Sequence, residues 1–104
     1  MATVVEQPQD AGRPSQDTGT AEATASAAIL EIRSRINEID DAIIALWKER
    51  SSLSQQVGKT RVASGGTRLV LSREREIMEK FREALGADGA QVALLLLRAG
   101  RGPL

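Results

Sequence analysis

The chain of 104 residues contains no cysteine and no histidine. That excludes disulfides, thiolate or imidazole metal centres, Ser-His and Cys-His nucleophilic catalysis, and a histidine pH switch. Aromatic residues are limited to Trp47 and Phe81, too few for the stacking platforms that bind nucleic-acid bases. No apolar run reaches the roughly 18 residues of a membrane span, and no basic segment followed by an apolar one marks a secretory leader at the N-terminus. The expectation is a soluble, cytoplasmic protein that contacts neither membrane nor nucleic acid and needs neither metal nor cofactor. The chemistry left to it is that of arginine, lysine, carboxylates and hydroxyls.

Charge is scarce in net terms but not locally. Fourteen basic residues balance fourteen acidic ones. Yet between Arg50 and Arg75 the cations Arg50, Lys59, Arg61, Arg68, Arg73 and Arg75 face Glu74 alone, a local charge of +5. A concentrated positive field in an otherwise neutral chain reads as a site for a small dianion or a phosphate.

Met1 to about Ala25 is rich in Gly, Pro, Ser, Thr, Ala and Gln and lacks an apolar period, so residues 1–25 are expected to form a disordered tail ahead of a helical domain over 26–104. From Ser26 to about Thr60 the residues Ile29, Ile32, Ile36, Ile39, Ile43, Leu46, Arg50, Leu53 and Val57 recur at alternating steps of three and four. That spacing predicts one long helix with an a/d seam, a rod of about 50 Å. Ser64-Gly65-Gly66 stops it. A second helix is expected from Ser72, as N-cap, to Leu85. A third is expected from Asp88, with Gln91 as its capping-box partner, to Gly100. Val92 and Leu94 to Leu97 are apolar nearly all round, which predicts a third helix buried on several sides. No strand pattern appears, so the fold class is all-α. Two short helices of about 20 Å leave about half of a 50 Å seam uncovered, and its simplest cover is a second copy of the chain.

Arg50 is the most informative residue, because it stands at a seam position that calls for an aliphatic side chain. A buried charge there needs an anion; a carboxylate of the fold would serve, and so would a snorkelling stem. Arg61 comes eleven residues later, within about 20° of the same helix face, so the two guanidiniums can converge. Lys59 lies off that face and is expected to be solvated, and Arg68 and Arg75 to face solvent. Arg33 points about 100° away from Arg50 and can join the pair only from a neighbouring chain. Arg73 and Glu74 open the second helix. Glu74 suits the helix dipole there, and among arginines it can also accept a hydrogen bond from a ligand hydroxyl. The resulting pocket holds several cations, one carboxylate and no nucleophile, a composition fitted to binding and electrostatic stabilisation.

The segments IRSRINEIDDAIIALWKER, VGKTRVASGGTRLV, SRE and LLLLRAGRG resemble the small all-helical chorismate mutases, in particular their short actinobacterial subclass, over about Ile29 to Gly102. The resemblance implies an intertwined homodimer with two equivalent sites that convert chorismate to prephenate for phenylalanine and tyrosine synthesis. It implies that Arg33 enters the neighbouring protomer's site, that Arg33 and Arg50 bind the two substrate carboxylates, and that Arg61 faces the ether oxygen. Glu74 would accept from the ring hydroxyl, Arg73 would join from the second helix, and Thr67 and Val70 would line the loop side, partly through backbone groups. The third helix departs from the family by lacking an evident Gln or Glu for the ether oxygen; Gln91 comes too early, and Arg98 and Arg101 are the nearest polar candidates. The resemblance further implies DAHP synthase as an activating partner; the short, basic, glycine-rich tail from Arg98 to Leu104 and the loop from Ser64 to Val70 are expected to be mobile and to be what such a partner grips. Rival readings on the same residues are an isochorismate-pyruvate lyase, an aminodeoxychorismate mutase, or a non-enzymatic helical adaptor.

Overall fold

The computed structural model describes residues 16–102. Most of the expected tail, together with Pro103 and Leu104, lies outside them. The described chain is all-α, with three helices: α1, Ala23–Ala63; α2, Leu71–Leu85; and α3, Ala87–Arg101. None of them is long and apolar enough to cross a membrane. Two compact units divide the chain, Met1–Ala42 and Ile43–Leu104, and α1 runs from the first into the second.

In the first unit α1 begins at Ala23, three residues before the expected start at Ser26. The reason is Glu22. Its carboxylate accepts hydrogen bonds from the amides of Thr24, at 3.0 Å, and Ala25, at 2.8 Å, satisfying two donors that an α-helix leaves unpaired at its N-terminus. Those two bonds, Ala25's foremost, hold the Glu22 carboxyl below its ordinary pKa. Ser26 instead pairs its hydroxyl with that of Thr18 at 2.8 Å.

No residue of α1 is buried. The seam is present as the spacing requires, but it is bare: Ile32 and Leu46 are 61% and 62% exposed, and Ile36, Ile39, Ile43, Leu53 and Val57 are exposed as well.

In the second unit α1 ends at Ala63 and the chain turns through Ser64-Gly65-Gly66. Gly65 takes a left-handed φ of 84°, and the amide of Gly66 returns to the carbonyl of Arg61 at 2.7 Å. The helix stop therefore forms where the glycine pair sets it, by the backbone freedom expected there. The next two starts differ from expectation. α2 begins at Leu71 after an extended Val70, and α3 at Ala87 after Gly86, neither with a side-chain cap. Ser72 and Asp88 thus lie inside their helices, and the Asp88–Gln91 capping box does not form.

The buried residues of α3 are Gly89, Ala93, Leu96 and Gly100, and that of α2 is Ile77. The steps of four, three and four along α3 form a single stripe. Val92, Leu94 and Leu95 are exposed, which corrects the expectation of a third helix buried on several sides. The stripe meets α2 at Gly89 and α1 at Gly100, and Leu94 and Leu95 on the other side of α3 stay on the surface of the single chain.

Candidate active site

The second unit contains a cleft of about 990 Å³, at the upper end of the range usual for small-molecule sites. Arg50 and Arg61 reach it from α1, Val70 from the loop, and Arg73 and Glu74 from the first turn of α2. Eleven residues of α-helix separate the two arginines of α1, which is why both address one cleft. Six cationic side chains and two carboxylates, Glu49 and Glu74, line it. Of the charged stretch seen in the sequence, Arg50, Lys59, Arg61, Arg68, Arg73 and Glu74 line this one cavity and Arg75 does not, while Arg101 joins from α3.

Three of the cations, Arg50, Arg61 and Arg68, are oriented by main-chain carbonyls. Arg50 Nη1 donates to the carbonyl of Leu96 in α3 at 3.4 Å. Arg61 Nη1 donates to the carbonyl of Arg68 at 2.8 Å and, at 3.5 Å, to that of Thr67, so Arg61 straps the loop that follows its own helix. Arg68 carries the strap onward, its Nη2 donating to the carbonyl of Arg101 at 3.0 Å. Arg73 forms an exposed ion pair with Glu76 at 3.6 Å, a contact that solvent screens. Glu74 is the better-enclosed carboxylate, its side chain 18% exposed, and Arg101 Nη2 donates to its Oε1 at 2.9 Å.

The last turn of α3 closes this arrangement. Gln55 Nε2 donates to the carbonyl of Ala99 at 3.0 Å, and the amide of Gly102 donates to the same carbonyl at 3.2 Å. These bonds satisfy a carbonyl that the end of a helix leaves without an intrahelical partner. Arg98 to Arg101, expected as part of a mobile tail, are helical and pinned. The physical reason is that side chains of α1 and the loop cap the helix end.

The sequence-derived site residues are thus divided. Arg50, Arg61, Val70, Arg73 and Glu74 share the cleft. Thr67 is exposed and outside the lining; its hydroxyl donates to the carbonyl of Leu69 at 2.8 Å, and its own carbonyl meets Arg61. Arg33 lies in the first unit, where its Nη1 donates to the carbonyl of Asp17 at 2.6 Å, and it is not among the lining residues. Lys59, expected to be off the site, is exposed yet lines the cleft, so the cleft takes in more than one face of α1. Arg68, expected to face solvent, is exposed but bonds to α3 and lines the cleft as well. Sequence reasoning missed the pairing of Arg101 with Glu74. Twenty-seven positions separate the two, and no local periodicity links residues so far apart.

The same chain is similar to proteins of known kind. Residues 32–96 match the family described as chorismate mutase type II. An intracellular chorismate mutase of Mycolicibacterium smegmatis is 50% identical over 74 residues, which span 71% of this chain and 71% of the relative. That of Mycobacterium tuberculosis is 52% identical over 73 residues, 70% of this chain and 69% of the relative. A chain in the non-covalent complex of DAHP synthase and chorismate mutase from Corynebacterium glutamicum, with bound transition state analog, superimposes with a TM-score of 0.74 at 47% identity, covering 78% of this chain and 98% of that one. An arginine-lined cleft on three helices and a family match over most of the helical region lead to one conclusion: the chain belongs to the chorismate mutase type II family.

Proposed function

We propose that the cleft of the second unit binds chorismate and rearranges it to prephenate, with Arg50 on a substrate carboxylate, Arg61 toward the ether oxygen, and Glu74 accepting from the ring hydroxyl. The observation that carries this reading is the convergence of Arg50, Arg61, Arg73 and Glu74, from two helices, on one cavity. The reaction is an isomerisation. The ether C–O bond breaks as a new C–C bond forms within the same molecule, so no proton, nucleophile or metal is required. The protein's contribution is to hold the compact conformer in which the reacting carbons meet. It also supplies fixed positive charge where the ether oxygen gains electron density. Carbonyl-anchored arginines suit that role, because they need little reorganisation during the reaction.

A second copy of the chain completes the site in this reading. The cleft opens on Leu46, Leu53 and Val57, which are exposed in the single chain. A continuous apolar seam of this kind calls for a partner surface. A twofold-related copy is the occupant that brings an equal seam, and it would deliver Arg33 to the neighbouring cleft.

DAHP synthase enters as an activating partner, supported by the complex in which the Corynebacterium glutamicum relative is found. The test is consumption of chorismate, isochorismate and aminodeoxychorismate by the purified protein, with and without the synthase. Prephenate from chorismate, formed at least about tenfold faster with the synthase, is the expected result, equivalent to about 1.4 kcal/mol off the barrier. Absence of chorismate turnover under both conditions overturns the assignment. Binding to polyanions in its place would favour a helical adaptor.

A further inference from the structure

We infer that Arg101 sets the substrate selectivity of the cleft: by neutralising Glu74 it makes that carboxylate a receptor for a neutral ring hydroxyl and rejects an ammonium at the same ring position. The inference rests on the reading of the cleft as a chorismate site.

Among the ion pairs of the described residues this is the least exposed. Arg101 Nη2 stands 2.9 Å from Glu74 Oε1, with side-chain exposures of 37% and 18%, whereas the ion pairs Arg35–Glu38 and Arg73–Glu76 are well over half exposed on both sides. Arg101 Nε is buried and has no hydrogen-bond acceptor among the described residues. The guanidinium is thus shielded along one edge, and Glu74 is the carboxylate it meets. Its main chain is fixed as well, through the bond from Arg68 to its carbonyl. Both ends of Arg101 are therefore held, and Glu74 is held through it.

The electrostatic consequence concerns the ligand. Apart from this pair, the cleft is lined by Arg50, Lys59, Arg61, Arg68 and Arg73 against Glu49. With Oε1 taken by Arg101, Oε2 is the remaining acceptor. It can receive a hydroxyl hydrogen, a neutral donor that adds no charge to a cationic cavity. An ammonium in that position would meet a carboxylate already compensated and a surplus of nearby cations, and like charges at such range disfavour it. If Arg101 loses its charge, Glu74 becomes an uncompensated anion and the preference shifts toward the cationic donor. Arg101 acts here through Glu74, as a positioning residue.

The experiment compares kcat/KM for chorismate and for its 4-amino-4-deoxy analogue in the full-length protein, in Arg101→Met, in Arg101→Gln and in Arg101→Lys. Helical content is measured on each by circular dichroism. Both neutral variants are expected to lower kcat/KM for chorismate and to move the ratio of the two substrates toward the amine by at least tenfold, with Arg101→Lys keeping the original ratio. Merely structural damage would lower both substrates together. An unchanged ratio in whichever neutral variant folds overturns the inference, and so does an equal shift in Arg101→Lys. Failure of the unsubstituted protein to use chorismate at all overturns the underlying site reading instead, and the two failures are told apart by that control.

Discussion

Gly100 lies directly on Ser54: a Cβ at position 100 would stand 2.5 Å from Ser54 Oγ and 2.9 Å from Ser54 Cβ. The missing side chain lets the last turn of α3 sit flush on α1. From that seat Gln55 reaches Ala99, Arg50 reaches Leu96, and Arg101 reaches Glu74.

The closeness makes Gly100 a site where a bulky substitution costs stability. Helix propensity favours alanine over glycine by about 1 kcal/mol, but a methyl group there overlaps a rigid Cβ. Overpacking of this kind costs about 1–3 kcal/mol. Gly100→Ala is expected to be neutral to destabilising, and Gly100→Val clearly destabilising, in urea denaturation. Ser54→Gly should recover most of the loss in the double variant, a coupling expected of residues in contact. Equal stability of Gly100→Val and the unsubstituted protein would contradict the contact.

Arg50 and Arg61 each hold a guanidinium at the cleft by main-chain carbonyls. Arg50→Ala or Arg61→Ala is expected to reduce kcat/KM for chorismate at least about 100-fold, about 3 kcal/mol of transition-state stabilisation. Arg61→Lys should be milder, because lysine still presents a donor and a charge. Steady-state kinetics decide it, and a loss below tenfold in both alanine variants would remove these residues from the reaction.

If a second copy supplies Arg33, the homodimers Arg33→Ala and Arg50→Ala should each be nearly inactive. A heterodimer carrying one change per chain would have one site lacking both arginines and one site intact. About half of the normal activity per heterodimer is the expected recovery. Sedimentation should meanwhile show no stable monomer at micromolar concentration. No recovery on mixing would place Arg33 outside the neighbouring site.

The start of α1 should loosen in acid. The Glu22 carboxyl is held below its ordinary value of 4.5 by the amides it accepts. A carboxyl depressed in the folded state contributes stability above its unfolded pKa, and that contribution is lost as pH falls through the folded value. Amide exchange at Thr24 and Ala25 is therefore expected to gain protection between acid and neutral pH. In Glu22→Gln that pH dependence should be largely absent. Identical exchange profiles for the two proteins would show that the cap does not hold the helix end.

Much of this molecule was legible in the chain itself. The three-four spacing from Ile29 to Val57 specifies a helix because it places one apolar face at 3.6 residues per turn, and the glycine pair after Ser64 stops that helix through backbone freedom alone. The eleven-residue interval between Arg50 and Arg61 puts them on one face by the same periodicity, and α1, which carries the pair, forms as that pattern requires. What the chain did not reveal are relationships without a period. The cap at Glu22 rests on a carboxylate that reaches two amides of the first turn, and the extended Val70 before α2 on backbone geometry. The stripe of Gly89, Ala93, Leu96 and Gly100 became distinguishable from the leucines around it only once α2 and α1 took up one side of α3. The pairing of Arg101 with Glu74, and the anchoring of Arg50 on Leu96, required α3 to be docked. Contacts between distant segments are set by packing, and packing is decided by the tertiary fold.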